Sequence, residues 1–127
     1  MTDKKQKVAF IGTGIMGAPI AGHILDAGYP LTVYNRTQAK ASPLVERGAT
    51  LAATPAEAAA GADVIFTMVG YPEDVEELYL AGDGLLTASK PGAILIDLTT
   101  SAPSLARDIA GAAAVSERTA FDCPVTG

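Results

Sequence analysis

One cysteine, one histidine and no apolar run of bilayer length set the first limits on this 127-residue sequence. A single cysteine forms no intramolecular disulfide, and without Cys or His pairs at ligand spacing there is no framework for a structural zinc. Basic residues are scarce too: nine Lys and Arg stand against fourteen Asp and Glu, for a formal charge of −5. Sequence-independent binding to nucleic acid or to an anionic membrane needs a basic face, so neither is an expected partner. The opening "MTDKKQK" has no apolar core of the signal-peptide kind, and the expected location is the cytoplasm. Internal repeats and linkers are missing as well, and thirteen glycines with eight prolines are too few to argue for disorder.

What is present is enough apolar content, 49%, to fill one core. Apolar runs of four to six residues recur at Val8 to Ile11, Leu31 to Tyr34, Val64 to Val69, Ala93 to Leu98 and Thr119 to Cys123, with a weaker one at Ala49 to Ala52. Segments of helical spacing follow them, which favours βαβ units around a parallel sheet. The near-continuous apolarity of Val64 to Val69 and Ile94 to Ile96 is what strands buried on both faces require. The expected fold is therefore α/β: a Rossmann-type, doubly wound parallel sheet in three layers.

Between the first two runs, Met16, Ile20, Ile24 and Ala27, with Ala21 and Leu25 beside them, form one helical stripe that Gly28 is placed to stop. Thr37 is positioned to cap a second helix ending at Gly48, with Pro43 expected to break or kink it. Thr54-Pro55-Ala56-Glu57 has the cap, first-turn proline and third-position glutamate of a helix start.

Gly12-x-Gly14-x-x-Gly17 sits between the first strand and its helix. The first glycine permits a sharp turn, the second lets backbone amides reach a pyrophosphate, and the third lets helix and strand pack closely. At the end of the second strand, where an NAD site carries an acid for the ribose hydroxyls, the sequence has Asn35, eighteen residues beyond Gly17, followed by Arg36 and Thr37. Asn removes the charge that would repel a 2′-phosphate, Arg36 supplies a cation for it, and Thr37 adds a hydroxyl. The charge argument favours NADP(H). NAD stays open, with Arg36 then a solvated side chain stacked on adenine.

Three further stretches narrow the class: Thr67-Met68-Val69-Gly70-Tyr71-Pro72, Ile96-Asp97-Leu98-Thr99-Thr100-Ser101-Ala102-Pro103 and Asp122-Cys123-Pro124-Val125-Thr126-Gly127. With the glycine motif, they closely resemble the β-hydroxyacid dehydrogenase family over essentially the whole chain. That family includes 3-hydroxyisobutyrate dehydrogenase and the tartronate semialdehyde and glyoxylate reductases. The resemblance implies that Gly12, Thr13, Gly14, Ile15 and Met16 cradle the pyrophosphate, and that Asn35, Arg36 and Thr37 hold the adenosine ribose or its phosphate. Met68, Val69 and Gly70 would line the groove near the nicotinamide ribose, and Thr100 would approach the nicotinamide. Core packing explains Met68 and Val69 equally well, and Thr100 could equally cap a helix starting near Pro103. The terminal stretch is similar to the family's Asp-Ala-Pro-Val-Ser-Gly-Gly, so Thr126 and Gly127 are expected to bind the substrate carboxylate. Cys123 stands in place of Ala and reads as a small buried residue, and His23 as a surface or packing residue.

In the family, a lysine on a later helix serves as general acid or base, and an all-helical C-terminal domain completes the cleft and usually the dimer. Neither is matched within residues 1 to 127, so the chain is expected to be an NAD(P)-binding domain cut before both, with no catalytic residue of its own. Lys90, before Pro91-Gly92, falls on the other side of a strand. For the complete, homo-oligomeric enzyme the resemblance implies hydride transfer between nicotinamide and a short hydroxy acid or semialdehyde; the fragment alone is expected to be inactive. Two alternatives stay open: a noncatalytic NADP(H)-binding or interaction module, and an imine reductase, which shares this half. Apolar surface meant for the C-terminal helices is expected to be exposed.

Overall fold

All the apolar runs become strands, and every one lies parallel to its neighbours. The computed structural model describes residues 6–12, 17–35, 42–68, 78–79, 84–98, 103–115 and 117–122. Strands β1 (Val8–Ile11), β2 (Leu31–Tyr34), β3 (Thr50–Leu51), β4 (Val64–Thr67), β5 (Ile94–Asp97) and β6 (Thr119–Asp122) form one six-stranded sheet in the order β3-β2-β1-β4-β5-β6. Helices α1 (Gly17–Asp26), α2 (Ser42–Glu46), α3 (Pro55–Ala59), α4 (Leu85–Ala88) and α5 (Pro103–Val115) connect them. This is the expected three-layer Rossmann architecture.

Alternation along β1 explains why its sequence has no polar face. Val8 and Phe10 point into a cluster with Ala21 of α1, Leu44 of α2, and Leu31 and Val33 of β2. Ala9 and Ile11 point the other way, into a cluster with Ala58 and Ala59 of α3, Leu85 of α4, and Ile109 and Ala113 of α5. A strand covered on both sides must be apolar at every position. The Phe10 and Phe66 rings stack across β1 and β4, 5.8 Å apart at 20°. Full burial of a side chain such as Phe10, Ile65 or Leu95 contributes about 1.5–3 kcal/mol each. The alanines at 58, 59, 62 and 113 are buried, as close helix-to-sheet approach requires.

Helix ends follow the local chemistry. Gly28, at φ 91°, stops α1 one turn after Leu25, whose carbonyl accepts the Gly28 amide at 3.0 Å. The helix ends at Asp26, which leaves Ala27 outside the stripe and exposed. Pro43 does not break α2; it sits in the first turn, where its missing N–H costs nothing. Gly48, at φ 116°, follows that helix, and Thr37 lies outside the described residues. Thr54 caps α3 by accepting the Glu57 amide at 3.1 Å, and Pro55 opens the helix as its spacing indicates.

Contacts at the amino edge of the sheet join chain segments that are distant in sequence. The Lys7 amide donates to Asp63 Oδ2 at 2.8 Å, and Lys90 Nζ pairs with Asp63 Oδ1. Arg118, just before β6, donates through Nε to Ser89 Oγ at 3.0 Å and through Nη2 to the Ser89 carbonyl. Large apolar side chains exposed among the described residues are Val45, Leu51 and Val115, on α2, β3 and α5.

Two outcomes follow. Gly111 sits in α5, exposed and with open space where a Cβ would go, whereas Gly92 holds φ +89°. Denaturant unfolding of Gly111→Ala should show a gain of about 0.5–1 kcal/mol. The same measurement on Gly92→Ala should show a loss of about 1–2 kcal/mol, because a Cβ is strained there. The second outcome concerns acid. The hydrogen bond from Lys90, and then that from the Lys7 amide, hold the Asp63 carboxyl below its ordinary value of 3.8. Asp63 thus contributes stability that is fully present above its unfolded pKa and is lost as pH falls through its lower folded value. Side-chain exposures of 43% for Lys90 and 32% for Asp63 mean that salt screens the effect. In low salt, Asp63→Asn should flatten the loss of stability below about pH 4.

Candidate functional site

The direction of winding reverses at β1. The chain goes from β1 outward through β2 to β3, then returns to the far side of β1 as β4 and continues outward to β6. The connections that follow β1 and β4 therefore lead to strands on opposite sides of β1, and open α/β sheets bind ligands at the carboxyl ends of strands at such a switch point.

Backbone hydrogen bonds carry the ladder one residue past the strands at this edge. Gly12 N donates to Tyr34 O at 2.8 Å, Met68 N to Ile11 O at 2.9 Å, and Leu98 N to Thr67 O at 2.7 Å. Gly12 then turns the chain with φ 90°, a conformation open to glycine, and α1 begins five residues later at Gly17. The amino end of α1, the positive end of its dipole, thus follows the carboxyl end of β1 by five residues. Asn35, directly after β2, is buried at 9% exposure beside that turn.

Three of the sequence-derived residues, Gly12, Asn35 and Met68, are therefore brought to one edge, on three neighbouring strands. Met68 is half-buried and packs its side chain against the cluster under α1 and α2, as plain core packing would have it. Thr13, Gly14, Ile15, Met16, Arg36, Thr37, Val69, Gly70, Thr100, Thr126 and Gly127 lie outside the described residues, as does Cys123. His23 is exposed in the last turn of α1. Lys90 is held by Asp63 at the amino edge, so it is not available to chemistry at the carboxyl edge. A cavity of about 330 Å³ lined by Lys7, Pro30, Glu57 and Gly61 opens at that same amino edge and contains none of the sequence-derived residues.

One cluster at the carboxyl edge escaped the sequence reading. Thr67 ends β4, Asp97 ends β5, and the two are register partners with exposures of 0% and 5%. Thr67 Oγ1 donates to Asp97 Oδ1 at 3.0 Å and lies 2.7 Å from the hydroxyl of Tyr79, which is buried as well. The only sequence signal was one polar residue inside each of two apolar runs, Thr67 within Val64 to Val69 and Asp97 within Ala93 to Leu98. Among the described residues no group of three His, Cys, Asp or Glu side chains is arranged to hold a metal, and no helix is long and apolar enough to cross a membrane.

Comparison with known proteins agrees with this geometry. The sequence profile of the NAD binding domain of 6-phosphogluconate dehydrogenase matches residues 7–127. An uncharacterized oxidoreductase of Bacillus subtilis, YkwC, is 49% identical over 97% of this chain and 43% of its own length. The NAD-dependent L-serine dehydrogenase of Pseudomonas aeruginosa is 42% identical over 96% of this chain and 41% of its own. Among solved structures, the 3-hydroxyisobutyrate dehydrogenase of Mycobacterium tuberculosis with L-serine superposes with a TM-score of 0.88 at 30% identity, over 97% of this chain and 41% of that one. An imine reductase from Myxococcus stipitatus in complex with NADP+ gives 0.83 at 32% identity, over 91% and 39%. This chain spans about two fifths of the length of the curated relatives it matches.

Proposed function

The chain belongs to the family of NAD-binding domains typified by that of 6-phosphogluconate dehydrogenase, with 3-hydroxyisobutyrate dehydrogenases among its relatives, and from that premise we propose that it is the NADP(H)-binding domain of an oxidoreductase acting on a short hydroxy acid or semialdehyde. The observation that carries this reading is the carboxyl edge: a positive-φ glycine after β1, the start of α1 five residues on, and a buried Asn35 at the end of the neighbouring strand. That arrangement fits a dinucleotide, because a glycine at φ 90° lets the chain turn sharply as it leaves β1 for the start of α1.

Bound nicotinamide supplies hydride chemistry at its C4 carbon. The chain's own work is placement. The turn from Gly12 to Met16 cradles the diphosphate at the positive end of α1, with the amides after Gly12 as donors, since Gly12 N is already bonded to Tyr34 O. Asn35 accepts a neutral ribose hydroxyl or tolerates a 2′-phosphate without repulsion, Arg36 neutralises that phosphate, and Thr37 donates to it. Met68, Val69, Gly70 and Thr100 seat the nicotinamide half, and Thr126 with Gly127 receives the substrate carboxylate. Lys90, committed to Asp63 at the far edge, is not placed for proton transfer at this site. A second reading, an imine reductase, is favoured by the likeness to the NADP+ complex and would share every one of these cofactor contacts.

Isothermal titration tests the cofactor assignment. NADPH should bind at least tenfold more tightly than NADH, and Arg36→Ala should cut NADPH affinity by about ten- to a hundredfold, the worth of one charge-assisted contact, while changing NADH little. Tighter binding of NADH by the unaltered chain would overturn the NADP(H) assignment.

A further inference from the structure

Parallel strands covered on both faces are built from aliphatic side chains, and a polar group buried there costs free energy unless it is fully hydrogen-bonded. Thr67 and Asp97 break that pattern at the same level of the sheet, as the last residues of β4 and β5. Their side chains share the face that carries Ile11, Ile65 and Leu95. Tyr79 reaches them from the segment between β4 and α4, at 1% exposure.

Thr67 Oγ1 donates to Asp97 Oδ1 at 3.0 Å and lies 2.7 Å from the Tyr79 hydroxyl, a contact in which either oxygen can donate. The result is a buried hydrogen-bonded chain, Tyr79–Thr67–Asp97. It joins three segments at one point. The backbone bonds of the two exits lie on the same residues: Leu98 N donates to Thr67 O, and Met68 N leaves β4 toward Ile11 O.

We propose that the Tyr79–Thr67–Asp97 chain positions the exits of β4 and β5, at Met68 and Leu98, so that this half of the edge is preset for the nicotinamide end of the cofactor. It leaves the β1–β2 half, which receives the adenosine end, unaffected. These are positioning residues, acting through the strand ends and not by touching the reacting atoms. The inference rests on the cofactor-binding function proposed above. Its physical basis is that the two mononucleotide halves of a doubly wound sheet bind on opposite sides of the switch point. Loss of one hydroxyl removes a buried hydrogen bond that helps tie together the ends of β4 and β5.

The test compares two probes on the same variants. One is whichever of NADPH and NADH the unaltered chain binds more tightly; the other is its adenosine half, 2′,5′-ADP or ADP. Thr67→Val and Tyr79→Phe should weaken dinucleotide binding at least fivefold and shift the adenosine half by less than twofold. Thr67→Ser, which keeps the hydroxyl, should restore dinucleotide affinity to within twofold. Dinucleotide affinity unchanged in both variants, or an equal loss for both probes, would overturn the inference while leaving the cofactor function standing. Should Thr67→Val fail to fold, Tyr79→Phe removes a single oxygen and gives the same comparison. Failure of the unaltered chain to bind either dinucleotide would overturn the proposed function, and this inference with it.

Discussion

Everything at the candidate site depends on β1 pairing on both of its edges. Val8 faces Leu31 on one side and Val64 on the other, and Ile11 faces Tyr34 and Thr67. With no register offset between strands, their carboxyl ends finish level, and Gly12, Asn35, Met68 and Leu98 come to one line although 86 residues separate the first from the last. Only a central strand with all its backbone groups paired and both faces covered can hold that line. That is why β1 is apolar throughout and contains none of the polar residues that the outer strands carry.

The two edges of the sheet are built differently. At the amino edge, charged and polar groups tie the loops together: Asp63 takes Lys7 and Lys90, and Ser89 takes Arg118. The Asp63–Lys90 pair is partly exposed and salt-sensitive, and worth little alone, whereas Ser89 is itself buried under Arg118. At the carboxyl edge the polar groups described are buried and few. Asn35 lies beside the Gly12 turn, and Thr67, Tyr79 and Asp97 form their own chain. Buried polar groups are costly to leave unpaired, so this second set fixes geometry more tightly than the first. The division matches the proposal that the fold is fastened at one edge and binds its cofactor at the other.

Much of the fold was legible in the residues because it depends on local chemistry. The strands were visible as apolar runs since both of their faces are buried, and β1 and β2 have the bounds that the runs suggested. Thr54-Pro55-Glu57 announced α3 because capping is decided within four residues. Pro43 was harder to read, since its effect depends on whether a helix starts before it or at it. Of the site, Gly12 and Asn35 were legible because the spacing from turn to second strand is fixed by one βα unit. The Tyr79–Thr67–Asp97 chain was not, because its partners are 12 and 30 residues from Thr67 and only the sheet register brings them together.

The central claim is that this chain binds a nicotinamide dinucleotide along the carboxyl edge of its sheet, across β2, β1, β4 and β5. Amide chemical-shift mapping of the isotopically labelled chain during titration with NADPH tests it most directly. The account expects the largest shifts at Gly12, Asn35, Met68 and Leu98, with Lys7, Asp63 and Gly92 at the opposite edge unmoved. Shifts concentrated at those amino-edge residues, or none anywhere at saturating nucleotide, would contradict it.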